Sequence, residues 1–176
     1  MSQRPPIWLS TLKEEDVRLI ERAVSGSVSV ADIDTVNTLA EKDEEEQGFV
    51  VHGNSITAFT QRIFSTANRM SFGFDIQAVS DMNYLVHKKG KDWSTDLEWY
   101  SEYYYDKKLS LIVQMSKPDE YEGGDFELEN VKLNFPELRE RGTMIVFPSF
   151  MKYRITEVTK GVRKTYRSWM EGPRWR

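Results

Sequence analysis

The stretch Asp106-Lys107-Lys108-Leu109-Ser110-Leu111-Ile112-Val113-Gln114-Met115-Ser116-Lys117-Pro118-Asp119-Glu120-Tyr121-Glu122-Gly123-Gly124-Asp125-Phe126-Glu127-Leu128 decides the fold of this chain. Leu109 to Met115 is a short, largely apolar run bounded by polar residues, the pattern of a strand buried in a sheet. Pro118 and the Gly123-Gly124 pair punctuate the chain beyond it, and Asp125-Phe126-Glu127-Leu128 alternates polar with apolar residues, which predicts another strand. Working outward, Asp81 to His87, Met144 to Phe147 and Arg163 to Met170 have the same texture, with Pro136, Gly142, Pro148 and Gly161 between them. Strands this short and this close together predict a sandwich or barrel of antiparallel strands.

Upstream the period changes. Val17, Ile20 and Val24 fall at helical spacing behind Thr11, a candidate cap, and Glu14, Glu15 and Asp16 favour the N-terminal end of such a helix. A second helix is predicted over about residues 31–43 on Ile33, Val36, Leu39 and Ala40, ending in the solvated acidic run Asp43 to Glu46. A third, from Ser55 to about Met70, lines Ile56, Phe59, Ile63, Phe64 and Ala67 along one stripe, read as core that packs against the sheet. The expected fold class is therefore α+β, mainly β: one domain over residues 1–176, with 1–70 mostly helical support and 71–176 the β core.

Composition narrows the function. At 176 residues, 39% hydrophobic and 30% charged, the chain can bury one sizeable core. No window approaches a membrane span and Met1 to Pro6 lacks the apolar centre of a signal peptide, so a cytoplasmic protein without membrane contact is expected. The absence of cysteine removes disulfides, thiolate metal ligands and cysteine nucleophiles together, and only His52 and His87 remain as imidazoles. A net charge of −4 argues against general nucleic-acid binding. The C-terminal stretch runs the other way: Lys152, Arg154, Lys160, Arg163, Lys164, Arg167, Arg174 and Arg176 face only Glu157 and Glu171. Such a run suits either a solvated strand face or a small anionic ligand.

Asp106 to Leu128 resembles the central strand and turn of the prolyl-4-hydroxylase-like iron(II)/2-oxoglutarate dioxygenases. Gly142 to Phe150, Arg154 to Arg163 and Trp169 to Arg174 continue the resemblance in order. The short forms carried by bacteriophages are especially similar, from Pro5-Pro6-Ile7-Trp8 to Gly172-Pro173-Arg174-Trp175-Arg176. The resemblance implies a double-stranded β-helix, the cupin-like jelly-roll, preceded by supporting helices. It also implies a site in which two histidines and a carboxylate hold Fe(II), leaving positions for 2-oxoglutarate and O₂.

Laid on this chain, that pattern loses both histidines. The first pair falls on Asp96 and Glu98 when the spacing from Gly90 is kept, or on Ser94 and Asp96 when an aromatic residue, Trp93, precedes it directly; the first spacing is preferred. The distal histidine position holds Tyr153. Hard oxygen donors such as Asp96, Glu98 and Tyr153 favour Mg²⁺, Mn²⁺ or Ca²⁺, so Fe(II) or another divalent metal would be retained weakly. The co-substrate arginine is kept, with Arg163 ten residues beyond Tyr153 and His87 at the place of the tyrosine that assists it. A guanidinium suits the far carboxylate of 2-oxoglutarate, although an Arg paired with a structural carboxylate is the plainer alternative.

The expected function is that of a catalytically degenerate oxygenase fold, a pseudoenzyme acting as a binding or interaction module, because no side chain replaces a redox ion in oxygen activation. An active dioxygenase with a non-standard metal site and a structural component of a viral assembly are the alternatives. Trp93, Trp99, Tyr100, Tyr103, Tyr104 and Tyr105 crowd one loop and are read either as the anchor of a protein partner or as a lid filling a vacated pocket. Oligomeric state is not written in the sequence.

Overall fold

A computed structural model describes residues 6–27, 46–87, 93–97 and 105–175. Among them lie two α-helices, α1 (Glu14–Ser27) and α2 (Asn54–Ala67), and ten strands: β1 (Trp8–Thr11), β2 (Glu46–Val50), β3 (Ala78–His87), β4 (Tyr105–Gln114), β5 (Tyr121–Gly123), β6 (Phe126–Leu128), β7 (Thr143–Pro148), β8 (Tyr153–Ile155), β9 (Val158–Gly161) and β10 (Arg163–Pro173). A six-stranded antiparallel sheet has the order β1-β7-β4-β10-β3-β2, and two smaller pairs, β5-β9 and β6-β8, close over it. This is the antiparallel barrel predicted from the strand pattern and the jelly-roll implied by the resemblance, and every predicted strand is present.

The main sheet has two different faces because its strands alternate, and the register shows which residues share a face. Tyr166 stands opposite Val113, Ser168 opposite Leu111 and Met170 opposite Leu109. That face packs against the helices, where Val17, Ile20 and Val24 of α1 and Ile56, Phe59, Ile63 and Phe64 of α2 are all buried with Leu109, Leu111, Val113 and Met170 in one cluster. Each such side chain contributes roughly 1.5–3 kcal/mol by leaving water. Tyr166 crosses this core with its hydroxyl 2.7 Å from that of Thr60. The opposite face carries Ser110, Ile112 and Gln114 of β4 beside Trp169, Arg167 and Thr165 of β10. It looks into the barrel toward a second cluster in which Ile112, Ile145 and Phe147 meet Phe126, Leu128, Tyr153 and Ile155.

The N-terminal third is less purely helical than predicted. β1 pairs with β7 from Trp8 opposite Val146 to Thr11 opposite Thr143, and β2 extends the other edge against β3. Thr11 therefore closes a strand instead of capping α1, whose first turn folds onto the carbonyl of Lys13 through the amides of Asp16 (3.0 Å) and Val17 (3.1 Å). These two edge strands, like β5, β8 and β9, were not predicted: each has five residues or fewer and is defined by its partner, which a local pattern does not register. The helix predicted over 31–43 lies outside the described residues. No helix among those described is long and apolar enough to cross a membrane.

Candidate active-site barrel

Two corners of the barrel interior carry the residues singled out in the sequence. In the first, Ser94 forms an antiparallel bridge with Tyr153 through Ser94 N–H to Tyr153 O (3.0 Å) and Tyr153 N–H to Ser94 O (2.9 Å). The loop beyond is pinned to the carbonyl of Ser149, which accepts from the amides of Asp96 and Leu97 and from the Thr95 hydroxyl (2.6 Å). This presents the Asp96 carboxylate to the barrel. Its Oδ1 accepts the Tyr153 hydroxyl at 2.9 Å and its Oδ2 accepts the Ser110 hydroxyl at 2.7 Å, while Ser110 also meets Ser149 at 2.9 Å. Ser94 and Asp96 thus both contact Tyr153, while Glu98, which the preferred spacing pairs with Asp96, lies outside the described residues.

Arg167 completes the corner. From β10 its guanidinium reaches Asp96 Oδ1 at 3.2 Å and donates to the Tyr153 hydroxyl, which in turn donates to Asp96. The Arg167 and Asp96 side chains are only 6% and 8% exposed, so this ion pair lies in a low-dielectric interior where it interacts strongly. Burial by itself would raise the Asp96 carboxyl; the Arg167 charge, with the hydrogen bonds from Ser110 and Tyr153, overcomes that and holds it below the usual carboxylate range. The Tyr153 ring is fully buried against Phe126 and Phe147, and the Arg167 guanidinium carbon lies 5.4 Å from the centre of that ring and 5.2 Å from that of Trp169.

This arrangement does not fit a divalent metal. The Tyr153 hydroxyl directs its hydrogen to Asp96 and accepts from Arg167, and the same guanidinium nitrogen also donates to Asp96, so the oxygen atoms a metal would need are already engaged with a cation. Among the described residues no group of three His, Cys, Asp or Glu side chains converges as a metal site.

The second corner is built around Arg163, four residues before Arg167 and on the same face of β10. Arg163 is buried, 3% exposed, yet its charge is only partly matched: Nε donates to Gln114 Oε1 at 3.1 Å, and Nη1 has no hydrogen-bond partner among the described residues. Burial pushes its pKa down from the ordinary arginine value to about 10, with the neighbouring Tyr121 phenol the main opposing influence. It remains a cation at neutral pH. Gly124 makes room for it, since a Cβ there would stand 2.9 Å from Arg163 Cδ, and its φ of 63° is one that side chains rarely adopt. Arg163 lines a cavity of about 540 Å³ together with Tyr121, Phe126, Leu133, Leu138 and Arg139. His87 stands directly opposite Arg163 across β3 and β10, but its Nε2 lies 2.8 Å from the Thr165 hydroxyl. The imidazole thus sits beside the arginine and is engaged with the strand.

The other sequence expectations divide. Of the basic C-terminal run, Lys152, Arg154 and Lys160 pair at the surface with Glu129, Glu127 and Glu122, as a solvated strand face requires, whereas Arg163 and Arg167 point into the barrel. In the aromatic loop, Trp93 is 40% exposed with the Arg154 guanidinium 4.8 Å from its ring centre, and Tyr105 is half exposed at the start of β4. Trp99, Tyr100, Tyr103 and Tyr104 lie outside the described residues. Arg167 and Ser110 were not singled out as site residues. The available signal was alternation: in an extended strand, residues 163 and 167 share a face.

Comparison with known proteins matches this picture of the fold. A PKHD-type hydroxylase of Synechococcus sp. (strain CC9311) is 28% identical over 90 residues, covering 50% of this chain and 41% of that protein. A PKHD-type hydroxylase of Hyphomonas neptunium is 33% identical over 63 residues, 36% of this chain and 28% of the relative. Among solved structures, the viral collagen prolyl hydroxylase of Paramecium Bursaria Chlorella virus-1 superposes with a TM-score of 0.66 at 12% identity over 97% of both chains. The matched segments and the fold are similar to those of the prolyl-4-hydroxylase-like 2-oxoglutarate/iron(II) dioxygenase superfamily. No protein-family model matches the sequence. A Pseudomonas putida prolyl-4-hydroxylase shares the same dioxygenase-superfamily fold, with a TM-score of 0.64, 10% identity and 97% of this chain covered. The chain spans less than half the length of the curated relatives it matches.

Proposed function

We propose that the chain is a catalytically degenerate member of this superfamily that uses its barrel as a binding module for a small anionic ligand. The observation that carries the reading is the mutually hydrogen-bonded set of Asp96, Tyr153 and Arg167 at the place where the resemblance puts metal ligands. Oxygen activation in this superfamily needs a redox ion, and a corner whose donors are engaged with one another and with a guanidinium has nothing with which to hold it. The binding half of the proposal is supported by Arg163. A buried cation with an unpartnered N–H, on a residue that lines a cavity, has the chemistry of an anion receptor, and a carboxylate reaching it would recover part of the cost of its desolvation. The relatives' names, hydroxylases and prolyl hydroxylases, make 2-oxoglutarate the first carboxylate to test.

The decisive assay reconstitutes the purified protein anaerobically with Fe(II) and follows conversion of 2-oxoglutarate to succinate after O₂ is admitted. No turnover above a metal-free control is expected. In calorimetry without metal, 2-oxoglutarate is expected to bind and the heat to vanish in Arg163→Met. Turnover above the control defeats the degenerate reading, and absence of any carboxylate binding defeats the receptor half of it.

A further inference from the structure

Arg167 stands where an apolar side chain would suit its neighbours: its partner across β4 is Ile112, and the rings of Tyr153 and Trp169 flank it. A guanidinium persists in such surroundings only when acceptors and negative charge compensate it. Here the compensation comes from Asp96 and Tyr153, two of the groups at positions equivalent to the superfamily's metal ligands. We propose that Arg167 is a resident cation that takes the place of the metal ion, joining Asp96 to Tyr153 and keeping a dication out of that corner even where a nitrogen donor is restored.

The inference rests on the reading of the corner as metal-free and goes one step further, assigning its cause to a single side chain. Loss of the two histidines removes affinity for a metal, and Arg167 adds active exclusion. Two positive charges within a few ångströms in a buried site repel each other strongly. The lone pairs of Asp96 that a metal would need are also already directed elsewhere, Oδ1 to Tyr153 and Arg167 and Oδ2 to Ser110. Arg163, on the same strand face, has no carboxylate salt bridge among the described residues; Arg167 has one, and it is this pairing that fills the corner.

The test is a Co²⁺ titration of the full chain, followed by absorption and by thermal unfolding, in the wild type, Tyr153→His and Tyr153→His/Arg167→Met. No saturable Co²⁺ binding is expected in the first two proteins at concentrations up to about 1 mM. The double variant is expected to bind at least about tenfold more tightly than Tyr153→His, and its melting temperature to rise with Co²⁺, because the metal then compensates Asp96. Equal affinities in the single and double variants overturn the inference and leave the metal-free reading of the wild type standing. Saturable binding by the wild type overturns both. Should the double variant not fold, Tyr153→His alone decides: saturable Co²⁺ binding with Arg167 in place refutes exclusion, and its absence supports it.

Discussion

Arg167 and Arg163 project from the same face of one strand, four residues apart, and the two corners they occupy have opposite character. At Arg167 the polar groups answer one another: carboxylate, phenol, serine and guanidinium are hydrogen-bonded or paired within one set. At Arg163 the set is incomplete: the Gln114 amide takes one N–H, another has no partner among the described residues, and the residue lines a cavity. Both arginines are buried to a similar degree, so burial does not separate a structural cation from a ligand-binding one. What separates them is whether the chain supplies the counter-charge. A buried charge without its partner is costly, and proteins retain one chiefly where something from outside supplies it.

The largest expected effect comes from breaking the Arg167 corner. Arg167→Met leaves Asp96 as an uncompensated buried charge and is expected to cost roughly 3–5 kcal/mol in urea unfolding; a cost below about 1 kcal/mol would mean that the two corners do not differ as described. Asp96→Asn removes the charge from the other side and leaves a neutral acceptor for Tyr153, so a smaller loss of about 2–3 kcal/mol is expected. The same variant carries a pH signature. The folded-state pKa of Asp96 lies below its unfolded value, so the stability it contributes is fully present above the unfolded pKa and is lost as pH falls through the folded pKa. The wild type should therefore lose stability more steeply than Asp96→Asn below about pH 4, and parallel acid limbs would remove the carboxylate from the account.

Smaller effects sharpen the comparison. Tyr153→Phe keeps the ring packed against Phe126 and Phe147 and removes one hydroxyl that both accepts and donates, for an expected loss of about 1–2 kcal/mol in the same unfolding experiment. Arg163→Met exchanges a poorly matched cation for an apolar side chain of similar reach. It is expected to change stability by no more than about 1 kcal/mol, in either direction, while abolishing carboxylate binding. A loss as large as that of Arg167→Met would show that Arg163 serves the fold and not a ligand.

Much of the architecture was legible along the chain because burial writes a period. The run Leu109 to Met115 announced a sheet strand, Val17, Ile20 and Val24 announced a helix, and each sits in the core that its spacing implied. Edge strands β1 and β2 were not legible, since an edge strand is short and owes its state to its neighbour. The candidate site was legible in part. Spacing reached Tyr153, Asp96 and Arg163, all of which lie in the barrel, but it does not choose between Ser94 and Glu98, of which only Ser94 is among the described residues.

The residues alone determined that no cysteine and only two histidines exist, that the chain must build a β core, and that the positions suited to metal ligands carry oxygen donors or none. Only the tertiary structure decided that one of eight C-terminal basic residues turns inward to meet Asp96 and Tyr153, whereas another four positions earlier keeps an N–H with no partner among the described residues. Alternation along a strand places a side chain on a face, but the partner it meets comes from strands and loops distant in sequence. Charge compensation across that gap is a property of the folded barrel, because it depends on distances of a few ångströms between groups separated by up to seventy-one residues of chain.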